Sequence, residues 1–290
     1  MTSEQVANLL LAGITLGAVY SIMALGLTFI YSVTKIFNYA QGAFFTWAGY
    51  IAWVFSGGYV QLNYIVAIII TIAIMFLFGI GFEKALMYPI RRFRDWDFTA
   101  IIVTLGAALL LDNLALVIFT NRPRAIPYLV EGSYYFGAFS ITKHSVVTLI
   151  ASIIILVLIT IFLSKNRQGM SMEGLGQDSM GAKIVGIPIN KMFGYAFGIS
   201  AVLAAISAIL LGPKILIYPS VGWVVFIKAF ICMTFGGLGS IKGAVIAAFI
   251  LSMLEVFVTW HLGGIWGTPV FIIVLIIVLI VRPKGLFGKW

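Results

Sequence analysis

Apolar residues fall along this chain in long runs divided by short polar interruptions, and the lengths of the runs predict the elements. Apolar segments lie near 6–33, 43–56, 62–82, 98–119, 145–163, 192–211, 223–235, 243–260 and 268–281. A bilayer core takes about 20 apolar residues of helix, each adding about 1.5 Å. Most of the segments meet that length. Those at 43–56 and 223–235 are short, so the pattern predicts eight or nine spans. The period-two alternation of a barrel strand is not seen.

Composition fixes the class. Hydrophobic residues are 62% of the 290 and charged residues 9%, whereas a soluble domain carries about 25% charged residues to cover its surface. The expected fold is an all-α integral membrane protein, a polytopic helical bundle of about 8–9 transmembrane segments. It forms a single transmembrane domain over 1–290, with a first half near 1–145, a second near 146–290 and a polar cytoplasmic loop near 164–191. Thirty glycines suit close helix packing. Gly13, Gly17, Gly79, Gly81, Gly194 and Gly198 are read as packing positions.

Charge sets the orientation. With the N-terminus outside, the inside segments hold 13 basic residues: Lys35, Lys84, Arg91, Arg92, Arg94, Lys165, Arg167, Lys183, Lys191, Lys242, Arg282, Lys284 and Lys289. The outside segments hold 4: Arg122, Arg124, Lys143 and Lys214. This positive-inside bias places the C-terminus in the cytoplasm. The net charge of +9 therefore describes cytoplasmic loops, and no basic stripe on a soluble surface offers a nucleic-acid site. Glu4 and the absence of Lys or Arg before Lys35 argue against a secretory signal, so the first run is read as a retained span.

Little in the chain resembles reaction chemistry. Cys232 stands alone and reads as a packing residue. His144 and His261 are expected at the outer interface, with no Cys or acid at metal-ligand spacing, so no metal site is expected. GGLGSIKGA at 236–244 fails as a phosphate loop because Lys242 precedes Gly243, against GxxxxGK[ST], and stands where GxGxxG needs its third glycine. No nucleophile and base pair up, so no catalytic residue is assigned and the chain is not expected to be an enzyme. It is expected to bind no cofactor, and any ATP must be bound by partner subunits. Asp112 and Glu255 lie within spans, where an isolated acid costs about 2.5–3.5 kcal/mol on insertion scales. Both are expected to face the bundle interior or a wet cavity, with Asn113 the neighbouring hydrogen-bond partner for Asp112. Two acids on distant spans give thin support to cation coupling.

Each half contains a break. In the first, an apolar run stops at Ser32 and polar or small residues follow from Thr34 to Gly42; in the second, the break runs from Gly236 to Gly243. Breaks at membrane depth persist where protein or a water-filled cavity satisfies the backbone, and paired interruptions in two halves point to a substrate pathway. Half-helix N-termini can also face a carboxylate. Asn38, Gln41 and Gly42 are candidates in the first half, and Gly236, Gly237, Gly239 and Ser240 in the second. The pattern also suits two ordinary cytoplasmic turns beside Lys35 and Lys242.

The loop NRQGMSMEGLGQDSMGAKIVGIPINK at 166–191 is the longest polar stretch. A helix over 170–186, ended by Pro188, would place Met172, Leu175, Ala182 and Val185 on one side and Glu173, Gln177, Asp178 and Lys183 elsewhere. Gly174, Gly176 and Gly181 each lower helix propensity by about 1 kcal/mol relative to Ala. Docking would stabilise such a helix, and the glycines would let a partner's backbone approach.

Four stretches carry a family resemblance. They are I36-F37-N38-Y39-A40-Q41-G42; T104-L105-G106 with N113-L114-A115; Q177-D178, A182 and G186-I187; and K228-A229-F230 with G236-G237-L238-G239-S240, G243-A244 and Glu255. In order and spacing the chain resembles LivH-type permeases of ATP-binding-cassette importers for branched-chain amino acids. The resemblance implies one half of a membrane heterodimer in the plasma (inner) membrane, made with a second related permease. Two cytoplasmic ATP-binding subunits lie below, and an extracytoplasmic substrate-binding protein delivers substrate. It adds Tyr39, Thr104 and Asn113 to the pathway candidates and makes 164–191 the ATPase-coupling loop, through Glu173, Gln177, Asp178, Gly181, Ala182 and Gly186. Departures from the family pattern are Glu173 where Arg is usual, followed by Gly174 for Ala; Lys242 for Pro; and Asp112 for Gln. Urea or short-chain amides are the alternative substrates, since related permeases serve them. A stand-alone secondary transporter or channel is the alternative of another class.

Overall fold

The computed structural model describes residues 3–136 and 139–288; Lys289 of the charge count lies outside the described residues. Each predicted apolar segment is a helix. They are α1 (Ser3–Thr34), α2 (Gln41–Ser56), α3 (Tyr64–Phe82), α5 (Trp96–Phe119), α6 (Lys143–Lys165), α9 (Ile189–Leu211), α10 (Val221–Gly236), α11 (Ile241–Leu262) and α12 (Gly267–Val281). A π-helical turn, Glu83–Met87, joins α3 to the short α4 (Tyr88–Ile90). Among the described residues, seven helical stretches are long and apolar enough to cross a membrane. At 16 residues each, α2 and α10 extend about 24 Å, short of a full bilayer core. The chain is a polytopic helical membrane protein.

Two features depart from the expected pattern. A hairpin of β1 (Ser133–Phe136) and β2 (Phe139–Thr142) precedes α6, with Ser133 opposite Thr142. Its strands are rich in aromatic and β-branched residues, which suit a pleated pair. The polar loop forms two helices rather than one, α7 (Arg167–Gln177) and α8 (Ser179–Ile184). Asp178 divides them: its Oδ1 accepts the N–H groups of Met180 (2.9 Å) and Gly181 (3.0 Å), capping α8.

The chain divides into two compact units. One comprises Gly26–Pro127 and Val157–Phe226. Here α9 packs on α2 and α3. Composition dictates which helix is central. Small residues spread around α9 let neighbours close in, whereas α3 carries bulky aliphatics such as Ile69 and Leu77, 61% and 68% exposed. A Cβ on Gly79 would lie 2.5 Å from the Phe197 carbonyl oxygen, so this glycine sets the α3–α9 approach. A Cβ on Gly198 would meet the Phe76 ring in the same interface, and one on Gly194 would come no closer than 3.6 Å, to Glu83 Oε2. Gly81 faces open space and packs against nothing, contrary to its reading as a packing position.

The other unit comprises Met1–Leu25, Tyr128–Leu156 and Ile227–Trp290. The N-terminal part of α1 lies on α11 through Gly13 and Gly17, which face Met253, Ser252 and Phe249. The Ser252 hydroxyl donates to the Gly13 carbonyl (2.9 Å). After α12 the chain turns back: the N–H groups of Leu286 and Phe287 donate to the carbonyls of Phe235 (2.8 Å) and Gly236 (3.1 Å). Gly237 and Gly285, at φ +104° and +76°, make that turn possible. Cys232 is buried here as a free thiol.

Candidate transport pathway and coupling segment

The first break is a buried polar node. Asn38 is 1% exposed and Gln41 fully buried. Asn38 Oδ1 accepts the Ala40 N–H (3.1 Å), and Asn38 Nδ2 donates to Gln41 Oε1 (3.4 Å). Gln41 Nε2 in turn donates to the Ser200 carbonyl (3.0 Å) in α9. The Ser200 hydroxyl lies 2.8 Å from the Gly26 carbonyl and 3.0 Å from Gln41 Oε1, acceptors for its one proton. The interruption thus meets the requirement that backbone freed from a helix be satisfied by protein. A side chain on Gly26 would enter this node, 3.0 Å from Gln41 Nε2.

The start of α2 is held from two further sides. The Tyr39 N–H donates to Thr104 Oγ1 (3.3 Å) of α5. Gly42 faces Gly222, whose N–H donates to Thr46 Oγ1 (3.0 Å). Asn38, Tyr39, Gln41, Gly42 and Thr104 therefore gather at one place. Asn113 does not join them: its side chain is exposed, and Nδ2 returns to the Leu109 carbonyl (2.7 Å) of its own helix. Nor does Asn113 bond to Asp112, as its neighbouring position suggests. Asp112 Oδ2 accepts the indole N–H of Trp223 (2.6 Å). Aromatic rings continue from there, Trp223 to Phe226 (5.8 Å between centroids) and Phe226 to Tyr39 (5.8 Å).

The second break belongs to the other unit and is a tight capped turn. Ser240 Oγ accepts the Gly243 N–H (3.1 Å), starting α11, and Gly239 has φ +81°. Gly236 faces Gly243 across the turn, and the returning C-terminal segment covers Gly236 and Gly237. The candidate residues Gly236, Gly237, Gly239 and Ser240 thus form the turn itself.

In the same unit sits a charged cluster that the sequence reading missed. Lys228 Nζ forms an ion pair with Glu255 Oε1 and lies 3.1 Å from the Tyr20 hydroxyl. It also lies 5.3 Å and 5.6 Å from the ring centroids of Tyr20 and Phe271. The pair is buried and ties α1, α10 and α11 together. A cation and an acid 27 residues apart, each within an apolar run, were the available signal, because buried charges pair. His144, expected at the interface, is 1% exposed and meets the Tyr128 ring edge-on at 5.3 Å. His261 is exposed, beside Phe257 and Trp260.

The polar loop is anchored on its own chain. Met172, Leu175 and Ala182 are buried with Phe29 and Val33 of α1 and Met192, Phe193 and Ala196 of α9. Two glycines make that docking possible: a Cβ on Gly169 would overlap the Phe162 carbonyl, and one on Gly176 the Ser32 carbonyl. These close approaches are to this chain's own backbone. Val185, expected on the buried side, is 74% exposed. With Met180 and Ile184, 71% and 80% exposed, it forms an apolar outer face beside exposed Glu173, Gln177, Asp178, Lys183 and Gly186. Gly181 is half-buried and lies against Asp178. Close by, Arg91 pairs with Glu83, donates to Asn190 Oδ1 (2.9 Å) and stacks over Phe193 (4.2 Å). Burial lowers its guanidinium to about 10, so it stays charged at neutral pH.

A polytopic helical membrane protein with a buried broken helix and a docked polar loop is the class that fold and site define. The family described as branched-chain amino acid transport system, permease component, matches residues 9–281, and the chain belongs to it. It is 28% identical to the high-affinity branched-chain amino acid transport system permease protein BraD of Pseudomonas aeruginosa, over 97% of this chain and 95% of that one. It is also 28% identical to LivH of Escherichia coli, over 96% and 94%. Among solved structures, PsaBC from Streptococcus pneumoniae in complex with Fab matches with a TM-score of 0.52 at 15% identity, covering 96% of this chain and 92% of that one. That likeness supports the fold alone.

Proposed function

We propose that this chain is the membrane permease subunit of an ATP-driven importer for branched-chain amino acids. It lines the route together with a second, related permease in the inner membrane, with its N-terminus outside and its C-terminus in the cytoplasm. Two cytoplasmic ATP-binding subunits supply the energy, and an extracytoplasmic binding protein supplies the substrate. The observation that carries the reading is the family match over 9–281. The α7–α8 segment gives it a mechanical form: one face is fixed to α1 and α9, and the opposite face presents Met180, Ile184 and Val185 to a partner. A push on that face reaches the first break directly, because Phe29 and Val33 lie on the last turns of α1 before it. Movement there can switch a two-state bundle between openings.

The test uses cells or vesicles holding the complete transporter. Leucine uptake should require ATP and be competed by isoleucine and valine but not by urea or acetamide; competition by urea would favour the amide alternative. Ile184→Asp should reduce uptake at least tenfold with the amount of membrane-inserted chain unchanged, since that side chain has no packing role in this chain. Unchanged uptake would contradict coupling through this face. Ala182 is a poorer site for the test, because it is buried in the chain's own packing.

A further inference from the structure

Beyond the first turns that hold Glu4 and Asp97, three acids lie inside the long apolar helices or their continuations among the described residues, and they differ in company. Glu83 has Arg91, and Glu255 has Lys228. Asp112 has no cation within 4.0 Å among the described residues. Its partner is the Trp223 indole, which satisfies one lone pair of one oxygen and supplies no positive charge. Ionised carboxylates in an apolar setting are paired or face a wet route. Asp112 is half-exposed rather than sealed, and so are Trp223 and Tyr39.

The rings beside it have consistent chemistry. Trp223, Phe226 and Tyr39 form a connected aromatic wall from Asp112 to the first break. Aromatic faces attract an ammonium group and give an aliphatic side chain apolar surface. A carboxylate at one end of such a wall suits a small solute with one cationic group and one branched hydrocarbon group.

We propose that Asp112 is a substrate-recognition residue of the transport route: it receives the α-ammonium of the amino acid, while the half-exposed rings of Trp223 and Tyr39, backed by the buried Phe226, receive its side chain. This assignment rests on the transport reading above and deepens it. Trp223 is a positioning residue, whose N–H fixes the rotamer of Asp112 and leaves the second oxygen for the substrate.

The experiment uses the complete transporter with leucine as the probe. Asp112→Asn should lower ATP-driven leucine uptake at least tenfold with assembly unchanged, and Asp112→Glu should recover part of it. Tryptophan fluorescence reports binding separately. Leucine should change the emission of the purified complex, the change should be lost in Trp223→Phe, and Asp112→Asn should need about tenfold more leucine to reach it. The compound 4-methyl-2-oxopentanoate, in which a keto oxygen replaces the ammonium of leucine, should produce no change. An Asp112→Asn transporter with wild-type uptake and an unshifted midpoint would overturn the assignment. So would failure of Asp112→Asn to assemble, which would make Asp112 a contact between subunits. A wild-type complex that takes up no amino acid would overturn the transport reading itself, and this assignment with it.

Discussion

Lys228→Met is expected to destabilise the permease severely, and adding Glu255→Leu is expected to reverse most of the loss. The reasoning is electrostatic. Lys228 and Glu255 are each 7% exposed and paired in an apolar unit. Removing one partner leaves an uncompensated buried charge, which costs about 3–5 kcal/mol, whereas replacing both with apolar groups of similar volume is often neutral or stabilising. The Tyr20 hydroxyl would lose its cation in either variant, so recovery in the double variant should fall slightly short of complete. Melting of the purified protein in mild detergent measures this. A large drop for the single variant and near-recovery for the double is the expected pattern. Equal stability of all three proteins would mean that the pair holds nothing together.

Gly222→Val is expected to abolish uptake, whereas Gly81→Ala should leave it intact. A Cβ on Gly222 would run into the Gly42 carbonyl, so α2 would have to be displaced from α10. The displacement would also break the bond from the Gly222 N–H to Thr46. Overpacking of a well-filled interior costs about 1–3 kcal/mol, and rigid backbone on one side offers little relief. At Gly81 a Cβ meets nothing within 4 Å, and Gly to Ala within a helix gains about 0.5–1 kcal/mol. Uptake and membrane yield of the two variants, measured side by side, separate helix approach from a general sensitivity to glycine loss. Normal uptake by Gly222→Val would remove the argument for close α2–α10 contact.

Local pattern was sufficient for the helices. Run length located them, and the polar stretches after Ser32 and Gly236 located both breaks. What the breaks do was not legible. Asn38 and Gln41 form a buried node because Ser200, 159 residues from Gln41, reaches them, while Ser240 merely caps the next helix. No local pattern reports such a meeting. The same holds for Asp112 and Trp223, which are 111 residues apart. Asn113, adjacent in sequence, projects elsewhere, as neighbours on a helix do. The glycines of the polar loop were legible as unusual, but the surface that Gly169 and Gly176 approach belongs to this chain. Asp178 could have been read as a helix start, since Asp followed by a short helical stretch is a capping signal. The four motif stretches carried the family because they span the chain in order, and the match over 9–281 covers them all.

The most direct measurement places the purified permease in sealed vesicles with labelled leucine, first alone and then with its second permease, the ATP-binding subunits, the binding protein and ATP. The expected result is accumulation against a gradient with the full set and none with this chain alone. Accumulation by the isolated chain, with no nucleotide-hydrolysing subunit present, would contradict the account.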